Sequence, residues 1–191
     1  SLLKPTTKIV CMLKASGYGA GSYELARTLE DSGVAYIAVA AHDEGVDLRK
    51  AGITAKIMVL NPRVENYKAM FAYNLEPEVY GIDECREIIR EAEKYGITDY
   101  PVHIKLDTGM HRLGFLKEQL PELIELLNSQ SAIRPASAFS HLCVADEPER
   151  DAYTMQQFQY FDECCEMLQA STKHHILRHI LHAHRDGVLP C

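Results

Sequence analysis

The sequence has no apolar run approaching the roughly 20 residues that a membrane-spanning helix requires. It has no Cys-x-x-Cys pair, so a structural zinc site of that kind is not expected. Positive charge is in short supply. Lys and Arg number 20 against 27 Asp and Glu, for a formal net charge of −7. That balance argues against nucleic acid or an anionic membrane as partner. No internal repeat, low-complexity tract or linker interrupts the chain, so one domain over residues 1–191 is expected. No signal peptide is visible, but the first residue is Ser rather than Met, and the natural start stays open.

What remains is an ordinary globular composition. The 191 residues are 47% hydrophobic and 25% charged, enough for one sizeable core. The six cysteines lack the dense short loops of a disulfide framework: Cys11 and Cys143 lie in or beside strand-like runs, and Cys164 and Cys165 are adjacent in a helix-like stretch. Reduced thiols in a cytoplasmic protein are expected. Segments 8–13, 36–41, 56–61, 75–81, 100–107, 136–143 and 178–184 read as strands, with 75–81 weakened by Pro77. Segments 22–33, 43–52, 64–74, 83–96, 117–130 and 150–168 read as helices. Strict alternation predicts α/β structure with parallel strands and helical crossovers. An open doubly wound sheet and a (β/α)8 barrel both fit, and both place functional residues at the carboxyl ends of strands.

Those ends carry Lys14, His42, Asn61, Tyr80, Lys105 with Asp107, His141, and His182 with His184. Lys14 closes the run KIVCML. An exposed strand-end lysine is the plainer reading from spacing alone; a desolvated lysine would instead offer a neutral amine able to attack a carbonyl. The turn GYGAG (17–21) leads into a helix, where backbone N–H groups suit an anion such as phosphate, although an ordinary tight turn explains it as well. In HIKLDTGMHRLGF (103–115), a strand brings Lys105 and Asp107 to one side and a turn carries Arg112. The group is either a charged site for a carboxylate or a strand-end salt-bridge cluster.

Together these segments resemble the alanine racemase family, whose barrel domain binds pyridoxal 5′-phosphate (PLP). LKASGYGAG is similar to the family's Lys-Ala-x-Ala-Tyr-Gly-x-Gly, with Gly17 in place of an alanine. AHDEGVDLRKAGITAKIMVLNP (41–62) resembles its Glu-rich helix and following strand. VHIKLDTGMHRLGF (102–115) is the most specific match, and SHLCVADEP (140–148) resembles its Ser/Thr-His-x-x-x-Ala-Asp. The likeness is greatest to the racemase module that some bacteria fuse to a peptidoglycan-precursor ligase. The resemblance implies a PLP-binding (β/α)8 TIM-type barrel, the family's N-terminal domain, incomplete here with about seven strands present. It implies a cytoplasmic bacterial isomerase making D-alanine for peptidoglycan, with alanine as substrate and a homodimer as the full-length form. By position, Lys14 would hold PLP through its amine and serve as one catalytic base. Tyr18 would bind the cofactor phosphate. Arg112 would face the phenolic oxygen and the substrate carboxylate. Lys105 matches a lysine that is carbamylated in many members and positions that arginine, and His141 would pack beside the pyridine ring.

The sequence also departs from the family. Its His-x-x-Asn-Ser-Ala segment is replaced by HILHAHRDG (179–187), with His182 at the Asn position and Ala183 at the Ser position. Alanine cannot donate to the phosphate, a loss of roughly 1.5–3 kcal/mol of binding. The family continues with an eighth strand, an arginine facing the pyridine nitrogen, and a C-terminal β-domain whose tyrosine is the second base, acting across a dimer. The 191 residues alone are therefore expected to be inactive or nearly so. Two other readings stand beside the racemase. One is a non-catalytic PLP-binding barrel module. The other is a metal-dependent barrel hydrolase using His182 and His184 with His141, His42 and a carbamylated Lys105.

Overall fold

A computed structural model describes residues 7–13, 21–144 and 147–180. The chain divides into two compact units, residues 1–78 and 79–191. The first holds β1 (Val10–Met12), α1 (Ser22–Asp31), β2 (Tyr36–Val39), α2 (His42–Lys50), β3 (Ile57–Val59), α3 (Tyr67–Ala72) and most of β4 (Leu75–Val79). Its strands pair in chain order and parallel. The second holds α4 (Ile82–Lys94), β5 (Tyr100–Lys105), α5 (Leu120–Asn128), β6 (Ile133–Ser140), α6 (Asp151–Ala170) and β7 (Leu177–Ile180). Here β5 pairs with β6 and β6 with β7, again parallel. Among the described residues, the expected alternation of seven strands and six α-helices is present.

Burial on both faces explains the apolar strand runs, since helices follow every described strand but the last. All four residues of β2 and all three of β3 are buried. β4 is stronger than its sequence, LEPEV, suggests. Pro77 removes one donor, yet β4 pairs with β3 and all five residues are buried. Its two acids find donors: Glu76 accepts from the Tyr36 hydroxyl at 3.0 Å, and Glu78 from the Asn61 N–H at 2.8 Å. Burying a carboxylate without such partners would be costly. In α2, Gly45 sits where a Cβ would lie 3.0 Å from both δ-carbons of Leu75. Close helix–strand approach accounts for a glycine in mid-helix.

β6 differs from expectation in an instructive way. It begins at Ile133, three residues before the expected start, and runs through Pro135. The register shifts by one there: Val102 pairs with Pro135, but His103 pairs with Ser137. Ala136 is thus the extra residue of a β-bulge, a device that absorbs a residue unable to donate.

Arg49 ties the first unit together. Its guanidinium donates to four carbonyls, those of Ile53 (2.9 Å), Ala55 (2.6 Å), Tyr73 (3.0 Å) and Asn74 (3.1 Å). It thereby fixes the ends of α2 and α3 and the approaches to β3 and β4. The five described cysteines are free, and burial pushes the thiols of Cys85 and Cys165 up to about 12 and that of Cys164 up to about 11. Such thiols are poor nucleophiles at neutral pH. No described helix is long and apolar enough to cross a membrane. Replacing Arg49 by Met should lower stability by roughly 2–3 kcal/mol, because charge-assisted bonds are lost and carbonyls are stranded. Urea unfolding measures it; an unchanged midpoint would contradict the role.

Candidate functional site

The best-defined site grows from the carboxyl ends of β5 and β6. After Lys105 the chain leaves the strand, turns over residues 107–114 and returns: the Phe115 N–H donates to the Lys105 carbonyl at 2.8 Å, and the Asp107 N–H to the Phe115 carbonyl at 3.0 Å. Leu106 and Phe115 form a bridge that closes the turn. Asp107 Oδ1 accepts the N–H groups of Gly109 and His111, each at 3.0 Å. This is an Asx-type turn. His111 and Gly109 take positive φ, 53° and 137°. Gly114, at φ 132°, has a specific reason to be glycine. A Cβ there would lie 2.6 Å from the Asp107 nitrogen and 2.7 Å from the Leu106 carbonyl carbon. Arg112 is exposed on this turn.

The bulge in β6 sets what faces Lys105. Lys105, Phe139 and His179 are register partners across β5, β6 and β7. Lys105 is only 9% exposed, and its Nζ lies 5.6 Å from the centre of the Phe139 ring. Phe139 stacks on the His179 imidazole with centroids 4.9 Å apart and planes 3° apart. One register row back, Ser137 Oγ lies 2.7 Å from His103 Nδ1 and 3.1 Å from His179 Nε2. Burial, with His103 adding to it, pushes the His179 imidazole down to about 4.

Beyond β6, His141 is half-buried. Gln157, buried on α6, donates from Nε2 to Thr108 Oγ1 (3.2 Å) and the His141 carbonyl (3.4 Å), while its Oε1 accepts the Cys143 N–H (3.1 Å). Tyr153, one turn earlier on α6, donates its hydroxyl to the Gly109 carbonyl at 2.8 Å. Cys143 lies within electrostatic range of Asp107 and Arg112; its thiol is pushed up chiefly by burial, opposed by the Gln157 hydrogen bond and then by Arg112, with Asp107 adding to the rise. Lys105, Arg112 and His141 therefore belong to one end of one strand pair.

The sequence expectations fare unevenly here. Asp107 accepts backbone N–H groups of its own turn, which makes it a turn-former within the proposed charged cluster. Lys14 and Tyr18 lie outside the described residues. The chain reaches Leu13, which is buried and donates to the Ala38 carbonyl at 2.7 Å. His182, Ala183 and His184 also lie outside the described residues. His42 opens α2 and is held by Asn66 at 2.7 Å and Asp43 at 2.8 Å, a local role. Among the described residues, no three His, Cys, Asp or Glu are grouped to hold a metal. Gln157, Ser137 and His103 were missed. Gln157 interrupts the buried stripe Thr154, Phe161, Cys164, Leu168, and a polar residue in such a stripe is the signal that marks it.

Comparison with known proteins gives this geometry its context. A family model, the alanine racemase N-terminal domain, matches residues 1–184. The chain belongs to the alanine racemase family. Alanine racemase 2 of Bacillus subtilis (strain 168) is 37% identical over 157 residues, covering 81% of this chain and 40% of that protein. The alanine racemase of Staphylococcus saprophyticus is 38% identical over 164 residues, covering 83% and 42%. The solved alanine racemase of Clostridium difficile 630 superposes with a TM-score of 0.85 at 32% identity, over 94% of this chain and 47% of that one. The chain thus spans about two-fifths of the curated relatives' length. It has the fold of the family's N-terminal domain, an α/β barrel of the TIM type, with seven parallel strands among the described residues. Alanine racemase family members depend on PLP, and the matched domain is the one that binds it. The residue types at the ends of β5 and β6 fit that group: a buried lysine, an exposed arginine and a half-buried imidazole are cations and a planar neighbour of the kind a flat anionic cofactor would use.

Two outcomes follow. Gly114→Ala should cost about 2 kcal/mol or more and speed amide exchange at Asp107 and Phe115, since both φ and space are wrong for a side chain; native stability in that variant would refute the close approach. His179 adds a pH term. The folded state holds it neutral where the unfolded chain, with a value near 6.5, binds a proton. Stability should therefore fall as pH drops from about 6.5 to about 4 and level off below, by an amount on the order of 2–3 kcal/mol for this half-buried ring. In His179→Gln that part of the pH curve should flatten; an unaltered slope would assign it to another group.

Proposed function

We propose that this chain serves a PLP-dependent racemase that interconverts L- and D-alanine, in the bacterial cytoplasm, for peptidoglycan synthesis. The observation that carries the reading is the closed turn after β5. There the segment 103–115 is folded so that Lys105 is buried against Phe139 while Arg112 and His141 emerge at the same strand ends. The continuous family match over residues 1–184 supports treating the chain as one PLP-binding domain. PLP, when bound, would withdraw electrons from the substrate α-carbon and so make its proton removable by a weak base.

The chain's own residues divide the remaining work. Lys14 anchors the cofactor and exchanges the α-proton on one face. Tyr18 holds the phosphate. Arg112, positioned by Lys105, neutralises the phenolic oxygen and the substrate carboxylate side. His141 would pack beside the cofactor's ring. Racemisation needs proton removal on one face and return on the other. In the family the second base is a tyrosine of a separate β-domain acting across a homodimer. The complete protein is proposed to act as a dimer.

The complete polypeptide, loaded with PLP, should convert L-alanine to D-alanine, read by chiral chromatography. Lys14→Ala should lose roughly 10²–10⁴-fold in turnover. PLP binding without any racemisation would favour the non-catalytic module; full activity in Lys14→Ala would end the assignment of that lysine.

A further inference from the structure

The network around Gln157 has a fixed direction. Ser140 Oγ donates to the Leu106 carbonyl at 2.7 Å, and a carbonyl can only accept. The single serine proton is spent there. The 2.8 Å contact between Thr108 Oγ1 and Ser140 Oγ must then use the threonine proton. Thr108 in turn has a lone pair left for Gln157 Nε2, 3.2 Å away. The chain therefore runs one way, from Gln157 to Thr108 to Ser140 to the Leu106 carbonyl. The far side of the amide is fixed independently. The Cys143 N–H can only donate, so Oε1 faces it at 3.1 Å, and the second Nε2 proton is left for the His141 carbonyl at 3.4 Å or Cys143 Sγ at 3.6 Å.

Both loops are thus referred to one buried side chain on a third element. Gln157 is 1% exposed, and its neighbours Thr108 and Ser140 are buried as well. Thr108 belongs to the turn that carries Arg112. His141 and Cys143 belong to the loop after β6. Tyr153 braces the same turn from the same helix through the Gly109 carbonyl. We propose that Gln157 is a positioning residue of the racemase site: it sets His141 and the Arg112 turn at a fixed separation, so that cofactor and substrate meet both in register. The inference rests on the racemase reading above. Gln157 acts through the loops it holds and touches neither cofactor nor substrate.

Two variants test it in the complete protein. Gln157→Leu keeps volume and removes every bond. Gln157→Glu keeps the acceptor for Cys143 N–H but puts a second acceptor against Thr108, whose proton is already committed. In the Leu variant, amide exchange should quicken at Cys143. In the Glu variant Cys143 should stay protected while Gly109 and His111 exchange faster. In both, kcat should fall about 10-fold or more with KM for alanine moved less than about threefold. PLP affinity, read by absorbance titration, should weaken by about 10-fold in parallel. Should the Leu variant fail to fold, the Glu variant carries the test. Unchanged exchange would overturn the clamp. Faster exchange with native kcat and PLP affinity would reduce Gln157 to helix packing. If the unsubstituted protein neither binds PLP nor racemises alanine, the racemase reading has failed and the positioning claim falls with it; a silent parent protein tells that case from the other two.

Discussion

One extra residue in β6 decides which side chains share a face. Side chains alternate along a strand, so a register shift of one exchanges the two faces. Without the bulge at Ala136, the residue after Pro135 would stand beside His103, and Lys105 would face Ala138. With it, His103 stands beside Ser137, and Lys105 beside Phe139 and then His179. The aromatic row beneath Lys105 and the serine between two imidazoles both follow from that shift. Proline at 135 cannot donate in a ladder, and the bulge is the local answer.

Above that row, the loops are built by a division of labour. Gly114 allows the β5 turn to close against its own strand, and Asp107 gives the turn its shape by accepting two of its N–H groups. α6 then holds the result from outside through Tyr153 and Gln157. Arg112 and His141 can stay accessible because the backbones that carry them are fixed by buried neighbours. Such an arrangement suits a site whose chemistry depends on orientation, where a misplacement of about 1 Å can cost about 10²-fold in rate.

Much of the architecture was legible because its signals are local. Alternating apolar runs and amphipathic stretches marked seven strands and six helices, and HIKLDTGMHRLGF marked the β5 turn. What stayed hidden depends on partners distant in sequence. LEPEV reads as a poor strand until Tyr36 and the Asn61 N–H are seen to meet its glutamates. Asp107 reads as a site acid beside Lys105, whereas its Oδ1 accepts backbone N–H groups two and four residues on. Gln157 lies 49 residues from Thr108, so no short motif contains both. The bulge was hidden for the same reason: the strand was expected only from 136, and the residue that compensates for Pro135 shows only against β5.

The central claim is that these strand ends serve a cofactor anchored by Lys14. The complete protein is incubated with PLP, reduced with borohydride, digested and mapped by mass spectrometry. The account predicts one pyridoxylated peptide, modified at Lys14, with Lys105 unmodified. Labelling at Lys105, or none at Lys14, would contradict it.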